Sequence, residues 1–311
     1  MIRSPAHEPP GFDIRPLLVA NCTCTMAMMA FVSLIGPIAR QIGLTASQAG
    51  VATTVGGLMW MFSAPRWGSQ ADLRGRRVVL LAAISGFTLF HTLLCALLVG
   101  SLSLSLGATA VFAGLVVTRG AMGGFYAAVP AIGQALIADH VPPARRTATL
   151  ASLGAANAVG LVAGPALAGV LASIGLATPL YATVWLPIAA VAVLWRSLPR
   201  TAVRPAAGGA PLLLRDRRLR RPMLVSFTAY FCVSTAQIIV GFFAIDRLGL
   251  AGGDAARVAG MSLTMVGVSL IGSQMVVRRL GWPPARLVRF GSVIGAIGFA
   301  MVAASTSSAM L

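Results

Sequence analysis

The sequence predicts an all-α integral membrane protein, and three observations carry that reading. Hydrophobic residues make up 57% of the 311 and charged ones only 10%, with a mean hydropathy of +0.86. A water-soluble domain of this length carries about 25% charged residues. The runs Leu17–Ile38, Ala49–Pro65, Val78–Val99 and Thr147–Ala172 are wholly or nearly free of charge, and most approach the roughly 20 residues that cross a hydrocarbon core. No stretch alternates polar and apolar residues with period 2, which excludes a transmembrane β-barrel.

Taken in order, the apolar runs predict nine spans, at 17–39, 48–66, 78–99, 107–138, 147–172, 179–196, 223–245, 256–277 and 286–304. The fourth is too long for a straight crossing, and Gly123, Gly124 and Pro130 let it bend or tilt. After the sixth comes a segment rich in Pro, Gly and Arg, with Pro199, Pro205, Gly208, Gly209 and Pro211, which reads as a linker. The chain thus divides into a tail at 1–16, a six-helix bundle at 17–196, a basic linker at 197–222 and a partial bundle of about three helices at 223–311. Gly68-Ser-Gln70 closes the second span and Gly272-Ser-Gln274 the eighth, with clustered arginine after each. That repetition at equivalent positions points to two related halves.

The formal charge of +17 is carried by arginine alone. A nucleic-acid groove interleaves arginine with aromatics on one domain; here the arginines sit in short loops between spans, which excludes a nucleic-acid partner. Of the 24, twenty fall in the tail, the even-numbered loops and the span ends beside them, three (Arg40, Arg247 and Arg257) on the other side, and Arg119 alone deep within a span. The tail and even loops are therefore expected in the cytoplasm, in a multi-pass protein of a bacterial inner membrane. Cys22 and Cys24 point about 200° apart on a helix and share neither a metal nor a disulfide. With three histidines and no acid in mid-span, no convergent catalytic set is visible, so no enzyme, metal or cofactor is expected.

Charge concentrates in one place. Gly68-Ser-Gln-Ala-Asp72-Leu-Arg74-Gly75-Arg76-Arg77 resembles the loop between the second and third helices of the major facilitator superfamily, Gly-x-x-x-Asp-Arg-x-Gly-Arg-Arg/Lys, with Leu73 in place of the first arginine. The stretch Leu115–Ala128 is similar to the family's fourth-helix pattern around an intramembrane arginine, here Arg119 with Gly123, and Met122 replacing a common glutamine. The stretch Gly160–Gly169, containing Gly164 and Pro165, resembles the fifth-helix signature of the drug:proton antiporter branch, with Ala168 for one glycine.

The resemblance implies a two-bundle, twelve-helix fold of which nine helices are present, the last three lacking. It implies secondary-active export of a small organic molecule, a drug or a secreted metabolite such as a siderophore, with protons as the coupling ion. Metabolite uptake, a facilitative carrier or an inactive remnant are the alternative readings. In the family the aspartate matching Asp72 meets the start of a helix in the other half.

Physical chemistry supplies roles for these residues. Asp72 is expected near the start of the third span, where a carboxylate faces helix N–H groups. Gly68 and Gly75 permit close approach and a tight turn, while Arg76 and Arg77 pair with Asp72 and meet anionic lipid headgroups. Asp72 with Arg76 reads as a conformational switch; an ordinary positive-inside loop accounts for the arginines but not for the acid. Arg119 and Tyr126, seven residues apart, share a helix face expected to line a cavity, with snorkelling of Arg119 to an interface as the alternative. Polar residues in apolar spans give the substrate-cavity candidates Asn21, Thr25, Trp60, Gln134, Asn157 and Gln237. Any one of them is more often an interhelical hydrogen bond than a ligand contact. Proton-coupling candidates are Arg119, Asp72 and His91, the last the one histidine inside a span and equally a core residue.

Overall fold

The computed structural model describes residues 12–104, 106–198, 217–280 and 284–304. Their apolar runs fold as ten helices: α1 (Arg15–Gln41), α2 (Ala46–Arg74), α3 (Arg76–Ser103), α4 (Ala108–Tyr126), α5 (Ala128–His140), α6 (Pro143–Ala172), α7 (Thr178–Ser197), α8 (Arg217–Asp246), α9 (Gly252–Leu280) and α10 (Pro284–Ala304). No strand occurs among the described residues. Among the described residues, six helical segments are long and apolar enough to cross a membrane: Arg15–Gln41, Arg76–Ser103, Ala108–His140, Thr149–Ala172, Thr178–Ser197 and Met223–Asp246. The protein is a multi-pass integral membrane protein. The helices α2 and α9 have the length but are diluted by Gly, Ser, Thr and Gln.

Three expectations need correction. The fourth span is two helices, interrupted at Ala127. Pro130 has no N–H to give the Tyr126 carbonyl, so the ladder fails one turn before it. The second span does not stop at residue 66; α2 runs through Gly68 and Asp72 to Arg74. Only Gly75 separates it from α3, at φ +91°, where an L side chain is strained. Asp72 accordingly sits in the last turn of α2, and no side chain caps the start of α3. The linker read at 197–222 becomes helical at Arg217, since Arg and Leu are strong helix formers that carry α8 beyond its apolar part. Residues 199–216 of that linker lie outside the described residues. The two Gly-Ser-Gln triplets fall inside the last turns of α2 and α9 rather than at their ends.

The helix α1 is the axis of the assembly. A continuous run of it from Ala30 to Ala39 is buried, and it touches α6, α7, α8 and α9. Close contact is possible because the facing surfaces are small: an added Cβ at Gly36 would lie 2.7 Å from the backbone of Gly241 on α8. In lipid the hydrophobic effect does not draw helices together, so such backbone-to-backbone fit supplies the association. Behind α1, α3 packs on α4 and α7, and Leu80, Ile84, Phe87, Leu94 and Leu98 of α3 are buried there. The helix α8 lies against α1, and α9 against α1, α6 and α8.

Candidate functional site

A cavity of about 410 Å³ opens where α1, α2, α4, α5 and α6 converge. Asn21, Trp60, Tyr126, Pro130, Gln134, Leu150, Leu153, Gly154 and Asn157 line it. The break between α4 and α5 brings Tyr126 and Pro130 to its wall. Tyr126 is buried, its ring edge-on to Trp60 at 5.0 Å. Its hydroxyl lies 2.7 Å from Thr25 Oγ1, and Thr25 donates to Asn157 Oδ1 at 2.8 Å. Asn21 donates from Nδ2 to the Leu153 carbonyl at 3.3 Å. One hydroxyl of α1 therefore ties α4 to α6, and the wall it braces presents amides, a phenol and an indole without a formal charge. Of the cavity candidates read from the sequence, Asn21, Trp60, Gln134 and Asn157 face this space, and Thr25 stands behind it. Gln237, half-buried on α8, and Arg119 are not among the lining residues.

Arg119 and Tyr126 thus share a helix but not a cavity. Arg119 is 6% exposed, with its guanidinium over the Phe31 ring at 4.8 Å and Nε without a hydrogen-bond partner among the described residues. It is held inside the bundle and does not snorkel. The described acids all sit at helix ends, so none neutralises it. A cation over an aromatic gains up to about 2 kcal/mol when desolvated, less than the several kcal/mol that a buried charge costs. Its backbone is also fixed, because Gly123 one turn on leaves no room for a Cβ against the Gly56 carbonyl. His91 is fully buried on α3, stacked on Phe87 at 5.9 Å, with Nε2 3.6 Å from Cys95 Sγ. It faces a core, not the cavity.

At the end of the bundle where α2, α5 and α7 finish, charge is organised around α3. Arg76 bridges two carboxylates, Asp72 at 3.1 Å and Asp139 at 2.5 Å. An acid in the last turn of α2 opposes the helix dipole, and Arg76 offsets this while joining α2 to α5. Arg77 donates to the Trp195 carbonyl at 2.8 Å and to the Leu198 carbonyl, satisfying one carbonyl in the last turn of α7 and that of the residue after it. Arg74 is exposed, and Gly68 has nothing within 4 Å of an added Cβ. Asp139 was legible only as an acid ending the fourth span; its role as the second partner of Arg76 was not. Phe31 beneath Arg119, and Trp67, which donates to the Gly124 carbonyl at 2.6 Å, were missed for the same reason: both are apolar-run residues whose partners are distant in sequence.

The fifth-span motif serves two interfaces on opposite faces of α6. Toward α1, an added Cβ at Gly160 would lie 2.6 Å from the Cys22 carbonyl, and one at Gly164 would collide with that of Met26. Toward α9, Gly169 meets Gly260, whose own added Cβ would fall 2.6 Å from the Pro165 carbonyl. At the far end of the molecule from Asp72, Arg40 closes α1 and pairs with Asp246 at the end of α8, its guanidinium also 5.4 Å from the Phe242 ring.

The chain is thus a helical membrane bundle with a cavity walled by apolar and a few polar side chains, and with ion pairs near both ends. The chain belongs to the Major Facilitator Superfamily, which it matches over residues 17–311. Over 129 residues it is 31% identical to the class D tetracycline resistance protein of Salmonella ordonez, a match spanning 42% of this chain and 29% of that protein. Its fold resembles a bacterial homologue of the human lysosomal transporter Spinster in an inward-facing, occupied conformation, with a TM-score of 0.72 at 15% identity, covering 96% of this chain and 68% of the other. It also resembles the human organic anion transporter MFSD10 (TETRAN), at a TM-score of 0.53 and 19% identity over 84% of this chain and 70% of that one. Among the described residues no three His, Cys, Asp or Glu side chains gather as a metal site.

Proposed function

We propose that the chain forms the substrate-binding part of a secondary-active exporter that moves a small organic molecule across a bacterial inner membrane by alternating access. The observation that carries this reading is the 410 Å³ cavity with its Tyr126–Thr25–Asn157 hydrogen-bond chain. Its size falls within the range of small-molecule sites, and its mix of apolar wall and few polar groups fits an amphipathic cargo. Export rather than uptake rests on the Gly160–Gly169 motif and on the local likeness to a tetracycline resistance protein, which makes tetracycline the first cargo to try. The Asp72–Arg76–Asp139 cluster lies wholly within the N-terminal bundle, and in this scheme it is the solvated half of a clasp that a helix after the linker meets and leaves in each cycle. Protons are the coupling ion, with Arg119, His91 and Asp72 as the groups to examine, and the tail and even loops face the cytoplasm.

The test is accumulation of radiolabelled cargo in inside-out vesicles, with and without an imposed pH gradient. Gradient-dependent uptake into such vesicles, lost on collapsing the gradient, is the expected result. Accumulation in right-side-out vesicles instead means import, and no accumulation in either means that this chain does not transport the cargo tested.

A further inference from the structure

A second recess lies on the outer face of the bundle, away from the polar cavity. Between α3 and α7 a groove of about 540 Å³ is lined by Ser85, Thr88 and Leu89 on one side and Ile188, Val191, Ala192, Trp195 and Arg196 on the other. Its origin is local. Pro187 interrupts the α7 hydrogen-bond ladder, and the Thr88 hydroxyl reaches across to the Pro187 carbonyl at 3.3 Å, tying the helices at one end. Beyond that tie the facing residues Ser85 and Ala192 are small, so the helices leave a trough. Leu89 and Trp195 are exposed by 55% and 65%, so no described helix covers it.

Three features fit one occupant. The α7 wall from Ile188 to Arg196 rises about 12 Å, close to the ~15 Å depth of one leaflet of the hydrocarbon core. Along that depth the wall is aliphatic, and it ends at a tryptophan, a residue suited to the headgroup level. Just past the tryptophan stands Arg196, exposed and without an ion-pair partner among the described residues. Arg77 holds the carbonyls of Trp195 and Leu198, so the turn presenting Arg196 is fixed, and the charge beside it is positive.

We propose that this groove binds an anionic phospholipid, with its phosphate on Arg196 and one acyl chain along Leu89, Ile188, Val191 and Ala192. The lipid bound there braces α7 against α3. The planar fork of an arginine can hold two phosphate oxygens at once.

The experiment titrates the purified full chain in detergent with phosphatidylglycerol or phosphatidylcholine, reading bound lipid by native mass spectrometry and thermal unfolding in parallel. Phosphatidylglycerol is expected to stay bound at lower concentration and to raise the unfolding temperature more. Arg196→Gln should weaken that binding by about fivefold, the contribution of one arginine at an anionic surface, while Arg196→Lys keeps much of it. Ala192→Trp fills the trough and should remove the preference with Arg196 intact. Equal binding of the two lipids by the wild type, a preference unchanged in both Arg196→Gln and Ala192→Trp, or a lipid-independent dimer that buries Trp195 would each overturn the proposal.

Discussion

Thr25 sits between Tyr126 and Asn157, 2.7 Å from the phenol oxygen of one and 2.8 Å from the amide oxygen of the other. Three spans meet through that single hydroxyl. Thr25→Val keeps the shape but leaves the Tyr126 phenol unmatched in a buried position, a loss of about 1–3 kcal/mol. Tyr126→Phe removes the phenol itself and should cost nearer to 1 kcal/mol. Thermal unfolding of the two purified variants ranks them, and an equal or reversed order would remove Thr25 as the bridge.

Asn157 and Asn21 face the cavity, so their effect should appear in binding rather than in turnover. Asn157→Ala deletes a hydrogen-bonding amide that meets the cargo in ground and transition states alike, which raises KM with kcat unchanged. A rise of up to about tenfold is expected, the equivalent of one hydrogen bond. Transport kinetics in vesicles separate the two constants; a fall in kcat at constant KM would place Asn157 outside the binding surface.

How much of this was legible follows from what a sequence can display. Asn21, Gln134 and Asn157 stood out because each is a polar residue in an apolar run, and Trp60 lay among residues with no other use for an indole. Their convergence on one cavity depends on the break at Ala127, which Pro130 made foreseeable. Arg119 was conspicuous for the same reason as the amides, yet the seven-residue spacing placed it wrongly beside Tyr126's cavity. That spacing fixes a helix face but says nothing about which neighbour the face meets two turns away. Asp139, Phe31 and Trp67 were illegible because a contact across 63, 88 or 57 positions leaves no local mark. The extent of α2 was misjudged because Gly68 suggested a turn, whereas the helix yields only at Gly75.

The glycines of α6 differ in what they tolerate. Gly164→Leu, or even Gly164→Ala, forces α6 from the Met26 carbonyl of α1, whereas Gly50 has nothing within 4 Å of an added Cβ. Gly164→Ala should therefore destabilise the protein, while Gly50→Ala in α2 should be neutral or stabilising by about 0.5–1 kcal/mol. Unfolding midpoints in the same detergent decide this. Equal shifts at both positions would show that the α1–α6 contact is looser than the backbone distances indicate.

Asp72 and Asp139 share Arg76 while remaining partly exposed. Ion pairs of that exposure contribute only about 0–1 kcal/mol, so Asp72→Asn should barely change the unfolding temperature. If the cluster is a clasp remade in each cycle, the same substitution should reduce transport many-fold. Vesicle uptake beside an unfolding curve distinguishes these outcomes. Unchanged uptake in Asp72→Asn would reduce the cluster to a surface ion pair.

Arg40 and Asp246 join the ends of α1 and α8 opposite that cluster, over a crossing where Gly36 and Gly241 bring the backbones together. Their side chains are 40% and 47% exposed, so water screens the attraction and the pair by itself adds little to stability. Its position matters more than its strength: under the alternating-access scheme proposed above, α1 and α8, which lie on either side of the linker, part at this end when the cavity is exposed there. Arg40→Asp places two carboxylates together and Asp246→Arg two guanidiniums, and either should hold the ends apart. The double exchange, Arg40→Asp with Asp246→Arg, restores attraction with the sign reversed, so transport lost in each single variant should largely return in the double. A stricter form replaces both by cysteine in a background lacking Cys22, Cys24, Cys95 and Cys232. Oxidation should then stop transport and reduction restore it. Transport that continues after complete cross-linking would mean that α1 and α8 stay together throughout the cycle, and that the cavity opens on this side by some other pair of helices.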